Sequence, residues 1–315
     1  MQMPYTIRMK KFVLIDGNAL IHRGFHAIPP LYTKDGEMTN AVYGFTTVFL
    51  GVLSEEAPDY IAVTFDKKGP THRHEKFENY KGTRVKAPDE LYAQIPRIKE
   101  VVRAFQIPIF EKSGFEADDL IATLTKILQE EDLKIVIVTG DKDALQLVSE
   151  NVVMASPRKG YREVDYYTPE VVMEKLGITP EQVVDYKGLC GDASDNLPGV
   201  AGVGPKTAAG LLQKYGTLEG IYENIAEISG RVGEKIALGE KDAFFSRDLA
   251  QLVYDVPVEF NLGDCVTHEV DKEAIAQLFE ELEFGSLTRK FNFLRGRWDH
   301  EKREKEFQES QLSLF

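Results

Sequence analysis

Apolar residues recur along this chain in two rhythms. Lys11 to Ile15, Tyr60 to Phe65 and Leu133 to Thr139 are compact, β-branched runs bounded by polar residues, a pattern that predicts buried strands. Asn40 to Leu53 and Ala117 to Leu128 instead place apolar side chains at helical spacing. Strands alternating with helices predict an α/β fold with a parallel sheet covered by helices. Ligands of such a sheet gather outside the carboxyl ends of its strands. Each predicted strand runs into acid there: FVLID into Asp16, IAVTFD into Asp66, and IVIVTGDKD into Asp141 and Asp143.

Two further acidic groups join these. FEADDL holds Glu116, Asp118 and Asp119 at the start of a predicted helix, with Glu116 and Asp119 on one face and Asp118 on an adjoining side. GDASDN adds Asp192 and Asp195. Taken singly, each acid reads as a solvated charge or, for the FEADDL trio, as favourable placement at a helix N-terminus. Separate strands delivering carboxylates to one rim would repel strongly unless cations neutralise them, which favours a metal site. Oxygen donors select hard cations such as magnesium or manganese. Two such ions about 4 Å apart stabilise both the attacking and the leaving oxygen of a phosphodiester displacement. No glycine-rich dinucleotide fingerprint follows the first strand, and no phosphate-binding loop of nucleotide hydrolases occurs.

Composition restrains this picture without changing it. The 315 residues, 43% hydrophobic and 28% charged, suffice for one large core or two smaller ones. With 38 basic residues against 51 acidic ones the formal net charge is −13, so any attraction to nucleic acid must be local. Cys190 and Cys265 stand in no metal-ligand spacing and read as free thiols of a reducing cytoplasm. No apolar run approaches membrane-spanning length, so no membrane partner is expected. The apolar run after Met9-Lys10-Lys11 meets Asp16 too soon for a signal peptide, and residues 1–9 read as a leader.

Local charge does reverse in KKGPTHRHEKFENYKGTRVK, residues 67 to 86, where seven Lys or Arg face only Glu75 and Glu78. Following Asp66, this segment would hang a basic loop over the acidic rim, suited to a single-stranded backbone, with Phe77 or Tyr80 free to stack on a base. An exposed connection with Phe77 and Tyr80 packed inward fits the same residues. A second signal is NLPGVAGVGPKTAAGLLQKYG, in which Gly199, Gly202 and Gly204 predict a tight hairpin and Pro205 suits the first position of a helix. Such a hairpin offers backbone N–H groups and a helix N-terminus to phosphate, with Lys206 and Thr207 beside them. An ordinary helix-turn-helix is the alternative.

The ordered set LIDGNAL, VTFD, HRHEKFENYKGTR, GFEADDLIATL, VTGDKDALQLV, GLCGDASDNLPGVAGVGPKTA and LEFGSL resembles the 5′ nuclease family of bacterial DNA polymerase I and its flap-endonuclease relatives, over about residues 10 to 290. The resemblance implies a catalytic domain of the PIN type over 10–180 with a helical arch near 67–110, and a helix–hairpin–helix DNA-binding subdomain over 181–290. It implies 5′-3′ exonuclease and 5′-flap endonuclease activity on DNA, removal of RNA primers in replication and repair, and two magnesium or manganese ions. By family pattern Asp16, Asp66, Glu116 and Asp118 serve one metal and Asp141, Asp143, Asp192 and Asp195 the other, with Asp118 and Asp119 near both. Lys81 and Arg84 match the basic pair that reaches the scissile phosphate, Arg23 and Arg73 match further phosphate contacts, and the hairpin matches one that grips duplex through a potassium ion. A cytoplasmic, nucleoid-associated bacterial enzyme is implied.

From Arg289 onward the chain is basic and aromatic, then densely mixed in charge. Within this 291–315 stretch, Gln311, Leu312, Ser313, Leu314 and Phe315 resemble the short bacterial peptide that docks in the groove of a sliding clamp. A chance pentapeptide folded back on the body is the alternative. The tail favours a free-standing nuclease over a portion of a polymerase. Two rival functions share the pattern, a catalytically silent DNA-junction binder and an RNA-cutting nuclease of PIN type, the latter disfavoured by the glycine hairpin.

Overall fold

A computed structural model of the chain describes residues 9–267 and 270–296. The Gln311–Phe315 peptide and eight of the nine leader residues lie outside the described residues. Six strands form one sheet: β1 (Lys10–Asp16), β2 (Tyr60–Thr64), β3 (Ile109–Phe110), β4 (Leu133–Val138), β5 (Val152–Lys159) and β6 (Glu163–Tyr167). Their spatial order is β3-β2-β1-β4-β5-β6, with β1 to β5 parallel and β6 antiparallel at the edge. The three expected strands lie in the centre, and the expected helices appear as Asn40–Glu56 and Ala117–Leu128. Beyond those expectations lie β3, only two residues long, and the pair β5 and β6, where VVMA gives way to Ser-Pro-Arg-Lys before the polar EVDYY edge.

Side-chain alternation within each strand divides the core into two layers. Phe12, Leu14, Ile135 and Ile137 point to one face, against the helix Ala117–Leu128 and residues of the helical second part such as Val183, Leu189, Val200 and Leu212. Val13, Ile15, Val63 and Val138 point to the other, against the helices Asn40–Glu56 and Ile95–Ala104. That second layer also contains Ile275, Phe279, Phe284, Leu287 and Phe291. The stretch 272–290, expected within the DNA-binding subdomain, therefore returns to cover the far face of the sheet. Its buried phenylalanines supply the apolar area that this face needs.

The second part is helical. Helices Val183–Cys190 and Pro205–Tyr215 flank the expected hairpin, and the backbone of Gly199 (φ +57) passes so close to Gly191 that a Cβ there would lie 2.1 Å from the Gly191 nitrogen. Gly202 also has positive φ, whereas Gly204 is extended at φ −108.

The expected arch is helical in pieces, His72–Lys76, Asp89–Ala93 and Ile95–Ala104. Its first half does not hang free. Tyr80 is buried with Val184, Leu197, Leu249 and Ala250 of the second part and Phe77 packs against them partly buried, which matches the inward alternative for Tyr80 and leaves part of the Phe77 ring exposed.

Candidate active site

The carboxyl ends of β1, β2 and β4 open into a cavity of about 820 Å³. Asp16, Asp66, Glu116, Asp118, Asp141, Asp143 and Asp192 line it, together with Lys81, Arg84 and Lys187. The convergence follows from the parallel topology, which brings the acidic ends of β1, β2 and β4 to one rim. Asp16 ends β1 and caps the next helix, accepting from the Ala19 N–H at 3.0 Å and from the Thr139 hydroxyl at 2.6 Å. That hydroxyl also accepts from the Asp141 N–H at 3.0 Å, so Thr139 ties the ends of β1 and β4 together. Asp66 accepts from the Ala117 N–H at 2.7 Å and from the Asn18 amide at 2.6 Å, fixing the third strand end to the start of the helix Ala117–Leu128.

Charge is unevenly balanced across this cleft. Burial, with the nearby carboxylates of Asp66 and Asp141, pushes Asp16 up to about 6 despite its two hydrogen bonds. Desolvation and the charges of Asp16 and Asp141 likewise drive Asp118 well above the carboxylate range. Opposite them, Lys187 contacts Asp143 and lies 2.7 Å from Asp192 Oδ2. Against the upward pull of burial, this ammonium and the donors of Ser194 hold Asp192 at about 2. Lys81 donates to Glu116 at 3.0 Å and Arg84 to Asp195 at 2.5 Å. Among the described residues no three acidic, imidazole or thiol groups stand in ligand geometry around one point. Several carboxylates instead face these lysines and arginines. The carboxylates offer oxygen donors, and among the described residues Asp16 and Asp118 form no ion pair, which fits hard divalent ions.

Four expected site residues, Asp119, Arg73, Asp195 and Arg23, do not line the cavity. Asp119 is fully buried and lies outside the cavity, accepting from Arg73 at 2.7 and 2.8 Å, from the Val253 N–H at 3.0 Å and from the Glu116 N–H at 3.1 Å. Those donors occupy its oxygens and leave none for a metal. Arg73, expected on phosphate, is 2% exposed and also donates to the Leu249 and Gln251 carbonyls, each at 2.9 Å. It joins the arch base to the second part.

Asp195 is also buried and turns to the 80–84 segment. It accepts from the Tyr80 hydroxyl at 3.0 Å while its carbonyl accepts from the Lys81 N–H at 3.1 Å. Lys81 adopts φ +56, a left-handed backbone held by these contacts and by the Asn196 amide, which donates to the Asn79 carbonyl at 2.8 Å. Arg23 is half-buried and does not line the cavity. Lys206 is exposed at the first turn of its helix with Thr207 half-buried beside it, and Lys235 donates to the Gly202 carbonyl at 3.0 Å.

Sequence reasoning missed Lys187, Thr139, Asn18 and His22. The cavity is lined by Asn18, His22 and Lys187, and burial with the positive charge of Arg84 and a neighbouring His26 lowers the His22 imidazole. Lys187 did leave a signal: it is a lone charge among the buried positions Val183, Val184, Gly188 and Leu189 of a helix that runs straight into GDASDN.

Comparison with known proteins agrees with this architecture. Residues 11–177 match the family described as 5′-3′ exonuclease, N-terminal resolvase-like domain, and residues 178–273 match 5′-3′ exonuclease, C-terminal SAM fold. The chain is 44% identical over 299 residues to DNA polymerase I of Caldicellulosiruptor bescii, covering 92% of this chain and 35% of that protein. It is 44% identical over 282 residues to DNA polymerase I of Bacillus caldotenax, covering 89% and 32%. It thus spans about a third of the length of these curated relatives. Among solved structures, bacteriophage T5 flap endonuclease in a pseudo-enzyme-product complex with DNA and metal ions aligns with a TM-score of 0.63 at 18% identity, over 91% of this chain and 100% of that one.

Proposed function

The chain belongs to the 5′-3′ exonuclease family, and from that premise we propose that it hydrolyses DNA phosphodiesters as a divalent-metal-dependent 5′-3′ exonuclease and 5′-flap endonuclease. The observation that carries this reading is the meeting of Asp16, Asp66, Glu116, Asp118, Asp141, Asp143 and Asp192 in one cleft with Lys81 and Arg84 on its edge. Two magnesium or manganese ions held there would supply an acidified water and charge neutralisation at the phosphate. Asp16, Asp66, Glu116 and Asp118 would hold one, and Asp141, Asp143 and Asp192 the other. Asp195 would act from behind by positioning Arg84 and Tyr80.

The remaining work falls to the chain's own cations and backbone. Lys81 and Arg84 would neutralise the non-bridging oxygens and the leaving 3′ oxygen, so that in-line attack by water leaves a 5′ phosphate. The hairpin around Gly202, with Lys206 and Thr207, would hold duplex through its phosphates at a fixed distance from the cleft and read no base. A potassium ion there would use hairpin carbonyls, and at Gly202 it would share the oxygen with the Lys235 ammonium, which donates to it at 3.0 Å. Substrates would be 5′ flaps and RNA primers of replication and repair, met at the nucleoid. Gln311–Phe315 would bind a sliding clamp and raise local concentration. Titrating the labelled pentapeptide with the cognate clamp tests that part, and absence of saturation at micromolar clamp removes it.

An end-labelled 5′-flap DNA incubated with magnesium, with and without chelator, tests the enzyme. Chelator-sensitive release of the flap at the junction is expected. Binding without cleavage would leave a silent junction binder, and cleavage of single-stranded RNA alone would leave an RNA-cutting enzyme.

A further inference from the structure

The acidic cleft already contains a cation of its own. Lys187, on the helix Val183–Cys190, is 9% exposed, and its ammonium sits between two carboxylates from different parts of the fold, Asp143 after β4 and Asp192 in the GDASDN loop. We propose that Lys187 is an internal counter-ion that occupies the Asp143–Asp192 pair in the cation-free protein, gives way to a divalent ion, and thereby sets the affinity of that half of the cleft. The inference rests on the metal-dependent reading above.

Three observations converge on it. A buried ammonium is costly unless paired, and Lys187 has both carboxylates as partners, so it neutralises this half of the cleft as a metal would. The other half is balanced differently: Lys81 reaches Glu116 at 3.0 Å from the arch side, while Asp16 is met by the Ala19 N–H and the Thr139 hydroxyl, and among the described residues no lysine or arginine bridges two of its carboxylates as Lys187 does. The described carboxylates also fail to converge on a point, as expected where Asp143 and Asp192 turn to an ammonium. A divalent ion carries twice the charge and approaches oxygen at about 2.1 Å. The lysine, on a flexible four-carbon stem, can withdraw without unfolding its helix. Cation binding at this half is then an exchange of one cation for another, weaker than the carboxylates alone would give.

Titration of the DNA-free protein with Mn²⁺, followed calorimetrically and by the paramagnetic signal of the free ion, tests this apart from catalysis. Lys187→Met keeps the stem and removes the charge, and it should tighten Mn²⁺ at one site roughly tenfold or more. Lys187→Arg keeps the charge and should bind as the native protein does. Native-like or weaker affinity in Lys187→Met, or equal tightening in Lys187→Arg, overturns the counter-ion role. No Mn²⁺ binding by the native protein removes the metal reading and this inference with it. If Lys187→Met does not fold, lysine-selective NMR of the native protein replaces it: the Lys187 Nζ resonance should shift on saturation with Mg²⁺, and an unmoved resonance overturns the proposal.

Discussion

Arg73 and Asp119 close on each other as a fork, Nη1 2.8 Å from Oδ2 and Nη2 2.7 Å from Oδ1; neither lines the cleft, though Arg73 Nη1 also lies 3.3 Å from Oε2 of Glu116, which does. The pair also gathers the Leu249 and Gln251 carbonyls and the Val253 N–H, so one ionic contact fastens the arch base, the helix Ala117–Leu128 and the second part together. Burial opposes ionisation of Asp119, but the guanidinium outweighs it and holds the carboxyl below its usual range.

Removing one member of such a pair strands the other. Arg73→Ala is therefore expected to cost about 3–5 kcal/mol in chemical denaturation in chelator, and Arg73→Lys to recover only part of that, since an ammonium cannot reproduce the bidentate fork. Native stability combined with lost DNA affinity in Arg73→Ala would instead restore a phosphate-binding role.

The difference between what could be read and what could not has a physical basis in this pair. Strand periodicity and acidic strand ends follow from local sequence, so the central sheet and the meeting of Asp16, Asp66 and Asp141 are legible in the sequence. Whether an acid beside those strands faces the cleft or the interior depends on a partner far away in the chain. Glu116 and Asp119 share a helical face by spacing, yet Glu116 lines the cavity while Asp119 is buried against Arg73, 46 residues away. Lys187 leaves a local signal, but its role is unreadable for the same reason, since its partner Asp143 lies 44 residues away. The return of residues 272–290 to the sheet likewise depends on a face left uncovered by earlier helices.

Asp141 occupies the centre of the unbalanced charge, raising both Asp16 and Asp118. Asp141→Ala should lower the cleavage rate by several kcal/mol of transition-state stabilisation, at least on the order of 10³-fold, while leaving flap affinity measured in Ca²⁺ largely intact. Its stability should change little. The lost cap to the Asp143 N–H, worth about 1 kcal/mol, is offset by relief of repulsion. Cleavage at the native rate in magnesium would remove Asp141 from the metal site.

Lys81 and Lys206 are both cationic but sit in different surroundings, one against Glu116 in the cleft and the other exposed beside the hairpin. Lys81→Ala should reduce the single-turnover rate more than duplex affinity. Lys206→Ala should weaken binding of all sequences alike and reduce the slope of log affinity against log salt by about 0.9. Equal losses of affinity in both variants, with unchanged single-turnover rates, would sink this division of labour.

The charge crowding around Asp16 gives a pH dependence of definite sign. Its folded value, pushed up to about 6, lies above that of the unfolded chain, so between about pH 4 and pH 6 the folded protein binds more protons than the unfolded one. Stability of the cation-free protein must then fall as pH rises through that window, and Asp118, raised for the same causes, adds to the slope. Asp192 acts oppositely in a lower window. Held at about 2, it contributes stability that is present above about pH 4 and lost as pH falls toward 2. In chelator, Tm should therefore rise on acidification from pH 7 to about pH 5 and drop again below about pH 4. Saturating magnesium should abolish the upper limb, because protons and cations compete for the same carboxylates, and cation affinity should weaken below about pH 6. Asp118→Asn separates this local effect from general relief of the net negative charge: it should flatten the upper limb in chelator while leaving the lower one. A variant whose Tm follows the native protein at every pH would show that Asp16 and Asp118 do not share one uncompensated field.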